Sequence, residues 1–257
     1  MIIIAGPCVV ESEKLIEIVV KKLIEITNKL EFDLIFKSSY KKANRTSINS
    51  FTSIGDEKAL TILKNIGIKY KVKTLTDVHT PQEVEFVSQF VDALQIPAFL
   101  SRQTDLLIEA GKTGKLINIK KAQFMAPDDI KRAIEKVEST GNNKIFITER
   151  GTCFGYHNLI VDFRSLVIMK EFGYPVIYDA THSLQQPSIG EQSGGYPQFV
   201  PPLARAAVAV GVNGIFFETH PNPKKAKSDS ATQLKLDKVE DFLKDIKEIS
   251  KIKFRLK

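Results

Sequence analysis

The sequence predicts a single-domain (β/α)8 barrel spanning residues 1–257, with its chemistry at the carboxyl ends of the strands. Three observations carry that expectation. A length of 257 residues with 43% hydrophobic content suits one barrel and its core. Eight short apolar runs rich in Ile, Val and Phe alternate with amphipathic stretches, the rhythm of βα units around a parallel sheet buried on both faces. Nearly every run ends on a polar or ionisable residue.

The strands are expected at 1–5, 33–37, 71–76, 92–96, 116–120, 144–148, 176–179 and 214–218. The first helix is expected at 12–29, where Ser12 can cap and Leu15, Ile16, Val19, Val20, Leu23 and Ile24 share one apolar face. Pro81, Pro127 and Pro202 fall near later helix starts, where a missing N–H costs little. A doubly wound sheet also fits alternation, but no Gly-rich dinucleotide turn follows the first run, and eight repeats favour closure. The long connections 181–196 and 221–234 follow strands seven and eight on the catalytic side of such a barrel.

Composition narrows the function classes. The opening MIIIAGPC has no basic leader and is far short of the roughly 20 apolar residues of a membrane span, so a cytoplasmic protein without membrane partners is expected. Cys8 and Cys153 are the only cysteines, too few for a disulfide framework. The net charge of +7 is spread over helices and the tail without interleaved aromatics, which argues against nucleic acid and fits small anionic ligands.

The strand exits carry Cys8, Lys37, Asp77, Gln95, Lys120, Glu149 with Arg150, His182, and Glu218 with His220. Burying such groups without partners costs several kcal/mol each, so convergence on one mouth is the economical reading. Lys37, Lys42, Arg45, Arg102, Lys120 and Arg150 form a cationic set that predicts more than one anionic group in the ligand. For any single Lys an exposed solubilising charge is the competing reading, weaker for Lys37 and Lys120, each of which ends an apolar strand. Cys8, His182, Glu218 and Asp229 combine thiol, imidazole and carboxylates, a donor set suited to a divalent transition metal such as zinc, iron or manganese. Against it stands a packed Cys8 with His182 as acid or base. For Cys153 and His157 in CFGYHN the sequence places no third orienting group, which makes a nucleophile pair a poor reading. Phe154 and Tyr156 are expected to cover the barrel rim.

The motifs AGPCVVES, FKSSYKKANRTS, TDVH, QIPAFLSRQTDLL, KKAQF, TERGTCFGY, VDFRSL, DATHS and ETHPNP followed by SDSATQL together resemble the 3-deoxy-D-manno-octulosonate 8-phosphate synthases over essentially the whole chain. The resemblance implies condensation of phosphoenolpyruvate with D-arabinose 5-phosphate and water, releasing phosphate, a step of lipopolysaccharide precursor synthesis. It implies Lys37, Lys42, Pro97, Ala98, Lys120 and Arg150 around phosphoenolpyruvate, and Asn44, Arg45 and Thr46 at the sugar phosphate. Arg102 is implied to reach a neighbouring subunit's sugar phosphate, hence a homotetramer. Lys37, Asp77, Lys120 and His182 form the implied catalytic set. Cys8 in AGPC marks the metal-dependent class, with His182, Glu218 and Asp229 as its further ligands. Thr46 stands where Ser is usual, Cys153 replaces a common Thr, and the PSIGEQ loop departs from its relatives.

Two alternatives stay open. A 3-deoxy-D-arabino-heptulosonate 7-phosphate synthase would use erythrose 4-phosphate, but that family reads KPRTS where this chain has Asn44 before Arg45, and Asn can hydrogen-bond a sugar hydroxyl that Pro cannot. A non-catalytic sugar-phosphate-binding barrel is the other, and the fold alone does not exclude it.

Overall fold

The computed structural model describes residues 1–45, 47–186 and 194–252. Its frame is eight βα units: β1 Ile2–Gly6, α1 Glu13–Lys29, β2 Asp33–Lys37, α2 Asp56–Tyr70, β3 Lys73–Asp77, α3 Pro81–Ser88, β4 Ala93–Ile96 and α4 Thr104–Lys112. They continue with β5 Leu116–Lys120, α5 Ile130–Glu138, β6 Ile145–Glu149, α6 Phe163–Lys170, β7 Val176–Asp179, α7 Val200–Val210, β8 Gly214–His220 and α8 Val239–Ser250. Each strand pairs in parallel with the next, and β1 pairs with β8 from Ile2 opposite Gly214 to Gly6 opposite Glu218. The sheet is therefore closed, as the eight repeats predict.

The first helix illustrates how sequence sets the elements. Ser12 accepts a hydrogen bond from Leu15 N at 3.3 Å, an N-cap contact, and Ile16, Val19, Val20 and Leu23 bury one face. The third strand begins two residues later than its apolar run suggests. Lys71 closes α2 in a left-handed conformation with φ 51°, and a residue turned that way cannot lie in a strand.

Side-chain alternation then divides the barrel into two zones. Residues of one parity point inward, and Ile4, Ile35, Leu75, Ala93, Ile177 and Phe216 fill the lower interior as a separate apolar cluster. The next inward positions toward the carboxyl ends are Gly6, Lys37, Asp77, Gln95, Asp179 and Glu218, with Asn118 and Thr148 at the matching level of β5 and β6. Polar residues thus sit on an apolar plug, between it and the mouth. At Gly6 a Cβ would lie 2.0 Å from Lys37 O, so only glycine lets β1 and β2 approach there.

The connections carry short structure of their own. Thr152–Cys153 pairs antiparallel with Leu159–Ile160, Gln185–Gln186 with Gly194–Gly195, and Leu234–Lys235 runs parallel to the end of β8. Phe154 and Tyr156 sit on the first ribbon but are 67% and 96% exposed, which corrects the expectation that they cover the rim: a two-strand ribbon has no second layer to bury them against. The PSIGEQ segment lies outside the described residues. Among those described, no helix is long and apolar enough to cross a membrane.

Candidate active site

The barrel mouth opens into a cavity of about 400 Å³. Lys37, Lys42, Lys120 and Arg150 all line it, with Pro97 and Ala98 on one wall. Asn44, Arg45, Asp77, His182 and Asp229 line the same cavity. Cys8 and Glu218 are buried and join Asp229 in a cluster. Arg102 is exposed and away from the cavity lining. Thr46 lies outside the described residues.

Lys37 is 1% exposed and its Nζ has several protein partners. It donates to Ser39 Oγ at 3.0 Å and Glu218 Oε1 at 3.2 Å, and lies 3.6 Å from Asp77 Oδ2. Asp77 accepts from the Ser39 hydroxyl and the Gln95 amide. Gln95 Oε1 in turn accepts from Asn118 Nδ2 at 2.9 Å, and Asn118 Oδ1 from Thr148 Oγ1 at 2.6 Å. This belt satisfies the inward polar side chains of five consecutive strands, which is what lets them be buried. Burial works to raise the Asp77 pKa, but Lys37 and Lys42 outweigh it and hold the carboxyl well below its ordinary value.

A second node centres on Asp179, a residue that sequence reasoning passed over in favour of His182. Asp179 is fully buried; its Oδ2 receives Lys120 Nζ at 2.5 Å and lies 2.8 Å from His182 Nδ1. Its other oxygen accepts from the amides of Thr181, at 3.2 Å, and His182, at 2.9 Å. The signal that could have found it is the one used elsewhere: Asp179 is an acid closing an apolar strand. Lys120 Nζ also stands 3.7 Å from the centre of the Phe216 ring, which caps the apolar plug. Burial draws the Lys120 pKa below its ordinary value, opposed by Asp179. Burial also disfavours the His182 cation, yet Asp179 wins and raises that pKa.

The acidic cluster has the chemistry of a metal site. One ligand atom each from Cys8, Glu218 and Asp229 lies within 4.8 Å of the others. His182 Nε2 is 3.5 Å from Glu218 Oε1 and 3.8 Å from Asp229 Oδ2. With Nδ1 turned to Asp179, Nε2 is the nitrogen facing the cluster, the arrangement that orients metal-binding histidines. Glu218 Oε2 is buried with no hydrogen-bond partner among the described residues, and Cys8 Sγ donates to Asp229 Oδ2 at 3.2 Å. Soft thiol, imidazole and two carboxylates fit a divalent transition ion. Burial, then Asp229 and Glu218, push the Cys8 thiol well above its ordinary pKa, so the proton must leave when a cation arrives.

Arg150 lines the cavity with Lys120; its Nη2 donates to Gln185 Oε1 at 3.0 Å, while Nη1 is buried with no hydrogen-bond partner among the described residues. Arg45 donates to Ser228 Oγ at 2.6 Å, tying the expected sugar-phosphate segment to the loop that carries Asp229. Asp229 itself is left-handed, φ 46°. His220 is turned from the cavity: its Nδ1 accepts from Asn222 N at 2.9 Å and braces the turn after β8. Cys153 is exposed on its ribbon.

A closed parallel barrel whose mouth joins a thiol, imidazole and carboxylate cluster to a basic cavity defines an enzyme frame for small anionic substrates. The model of the DAHP synthetase I family matches residues 1–254. A protein of Syntrophotalea carbinolica, named 2-dehydro-3-deoxyphosphooctonate aldolase, is 49% identical over 251 residues, covering 97% of this chain and 91% of its own. Proteins of the same name from Francisella tularensis subsp. holarctica, 49% identical over 96% of this chain and 90% of theirs, and Trichlorobacter lovleyi, 47% over 98% and 93%, are similar to it. The chain belongs to the DAHP synthetase I family, with the 2-dehydro-3-deoxyphosphooctonate aldolases. That grouping bears out the resemblance read from the motifs and favours the octulosonate reading over the heptulosonate one.

Proposed function

We propose that this chain condenses phosphoenolpyruvate with D-arabinose 5-phosphate and water to give 3-deoxy-D-manno-octulosonate 8-phosphate and inorganic phosphate, supplying lipopolysaccharide precursors. The observation that carries the reading is one cavity with a deep group of cations and an outer arginine beside an amide. Lys37, Lys120 and Arg150 are at most 5% exposed, while Arg45 is half-buried and Asn44 exposed. Two phosphorylated anions require such a division. Similarity to relatives bearing the aldolase name supports it.

In this reading carbon 3 of the enol attacks the sugar aldehyde, water adds at carbon 2, and the carbon–oxygen bond to phosphate breaks. Lys37, Lys42, Lys120 and Arg150 hold the phosphate and carboxylate of phosphoenolpyruvate, as fixed cations that need no reorganisation during reaction. Pro97 and Ala98 give its apolar edge. Asn44, Arg45 and Thr46 grip the sugar phosphate, with Arg102 from a neighbouring subunit of a homotetramer. Asp77, held by Ser39 and Gln95, orients the aldehyde, and His182, its Nδ1 held by Asp179, turns Nε2 toward the reacting aldehyde and water. A zinc, iron or manganese ion on Cys8, His182, Glu218 and Asp229 would supply Lewis acidity toward the aldehyde oxygen or water. The work is placed in the cytoplasm.

Comparing aldehydes tests the substrate choice. Turnover per KM with arabinose 5-phosphate is expected to exceed that with erythrose 4-phosphate by about 10²-fold or more, because Asn44 loses its sugar partner with the shorter aldehyde. Faster turnover of erythrose 4-phosphate would reverse the assignment.

A further inference from the structure

Alternation along β5 and β6 places Lys120 inward, so Lys121 and Glu149 point the other way, into the layer between barrel and helices. Both are sealed there, at 0% and 1% exposure. Lys121 Nζ lies 3.7 Å from Glu149 Oε1 and donates to Ala122 O and Met125 O, each at 3.2 Å, and to Thr152 Oγ1 at 3.1 Å. Glu149 Oε1 accepts from Gly151 N at 2.7 Å, and Oε2 from Ser165 Oγ at 2.8 Å.

These contacts enclose Arg150. The Glu149 carboxylate reaches past Arg150 to the amide two residues ahead of itself, closing a small ring with Arg150 at its apex. Gly151 completes the turn at φ +92°, a conformation that side-chain-bearing residues rarely adopt. On the far side Lys121 holds Thr152, and the same ammonium gathers the turn that follows Lys120. Cys153 N donates to Gln123 O at 2.9 Å, a second tie between the two loops. A buried ion pair of this kind contributes little net stability, since apolar residues of similar volume often serve as well or better.

We infer that Lys121 and Glu149 are positioning residues for Arg150: the pair sets the direction of the guanidinium and its spacing from Lys120, and touches no ligand. This rests on the reading of Arg150 as a grip on phosphoenolpyruvate. The network spans the two loops whose inward cations share that anion, and it leaves the sugar-phosphate segment in the loop after β2 untouched.

The test compares wild type with Lys121→Met and with Lys121→Met/Glu149→Gln, which removes both charges and leaves no lone buried ion. KM for phosphoenolpyruvate, and its Kd by calorimetry, are expected to rise about tenfold in both variants, with kcat and KM for arabinose 5-phosphate within about twofold of wild type. The double variant is expected to melt close to wild type, separating the effect from stability. An unchanged phosphoenolpyruvate KM in a folded double variant overturns the inference, as does an equal rise in both KM values. If wild type binds no phosphoenolpyruvate, the functional reading falls and the inference with it.

Discussion

Lys120→Met is expected to lower kcat/KM for phosphoenolpyruvate by about 10³-fold while the protein stays folded. Lys120 is the deep cation with a neighbour on every side: Asp179 at 2.5 Å, the Phe216 ring at 3.7 Å and His182 Nδ1 at 3.5 Å. Held this tightly, its ammonium is already where charge gathers as phosphate departs, and no other side chain can swing into its place. Folding survives because Asp179 keeps His182 and the amides of Thr181 and His182 as partners. Methionine matches the stem of lysine and keeps the packing on Phe216. Steady-state kinetics with a thermal melt checks both halves. A loss below about tenfold would remove Lys120 from the phosphate grip.

Complete removal of divalent metal is expected to leave less than about 1% of activity, restored on adding zinc, manganese or ferrous iron. The basis is the donor set of Cys8, Glu218 and Asp229 within 4.8 Å of one another, with His182 Nε2 3.5 Å from Glu218. A readout independent of turnover accompanies it. The Cys8 thiol is held well above its ordinary pKa by burial and by Asp229 and Glu218, so it is protonated at neutral pH without a cation, and a thiolate ligand forms only by losing that proton. Titration of metal-free protein in weak buffer is therefore expected to release between about one and two protons per ion bound, one from Cys8 and the rest from the His182 cation that Asp179 favours. Cys8→Ala is expected to lower that release by about one proton per ion. Full activity after chelation, with no ion bound on titration, would contradict the assignment.

Much of this was legible in the sequence for one reason: an inward-facing charged residue at the end of an apolar strand has nowhere to go but the barrel mouth. That rule places Lys37, Asp77, Lys120 and Glu218 correctly, all of them nearly inaccessible to solvent. The same rule covers Asp179, which was passed over because the neighbouring His182 drew the assignment; it failed at Glu149, which ends β6 but points outward to Lys121, and it did not foresee that Asn118 and Thr148, at the matching level of β5 and β6, continue the belt from Asp77 and Gln95. The late start of β3 follows from the left-handed Lys71, a backbone choice that periodicity does not encode. The two-residue ribbons after β6 and β7 are too short to leave a period in the sequence. Arg102 stands exposed, and its expected role depends on a second copy of the chain, which no pattern within one chain can display. The outward pair Lys121 and Glu149 was visible as letters; only the alternation of β5 and β6, seen in three dimensions, separates it from the inward pair beside it.

Phosphate release tests the central claim most directly. Metal-loaded protein mixed with phosphoenolpyruvate and arabinose 5-phosphate is expected to free about one phosphate per phosphoenolpyruvate consumed, and to free almost none when the sugar phosphate is left out. Absence of release with every divalent metal tried, or release that ignores the sugar phosphate, would contradict the account.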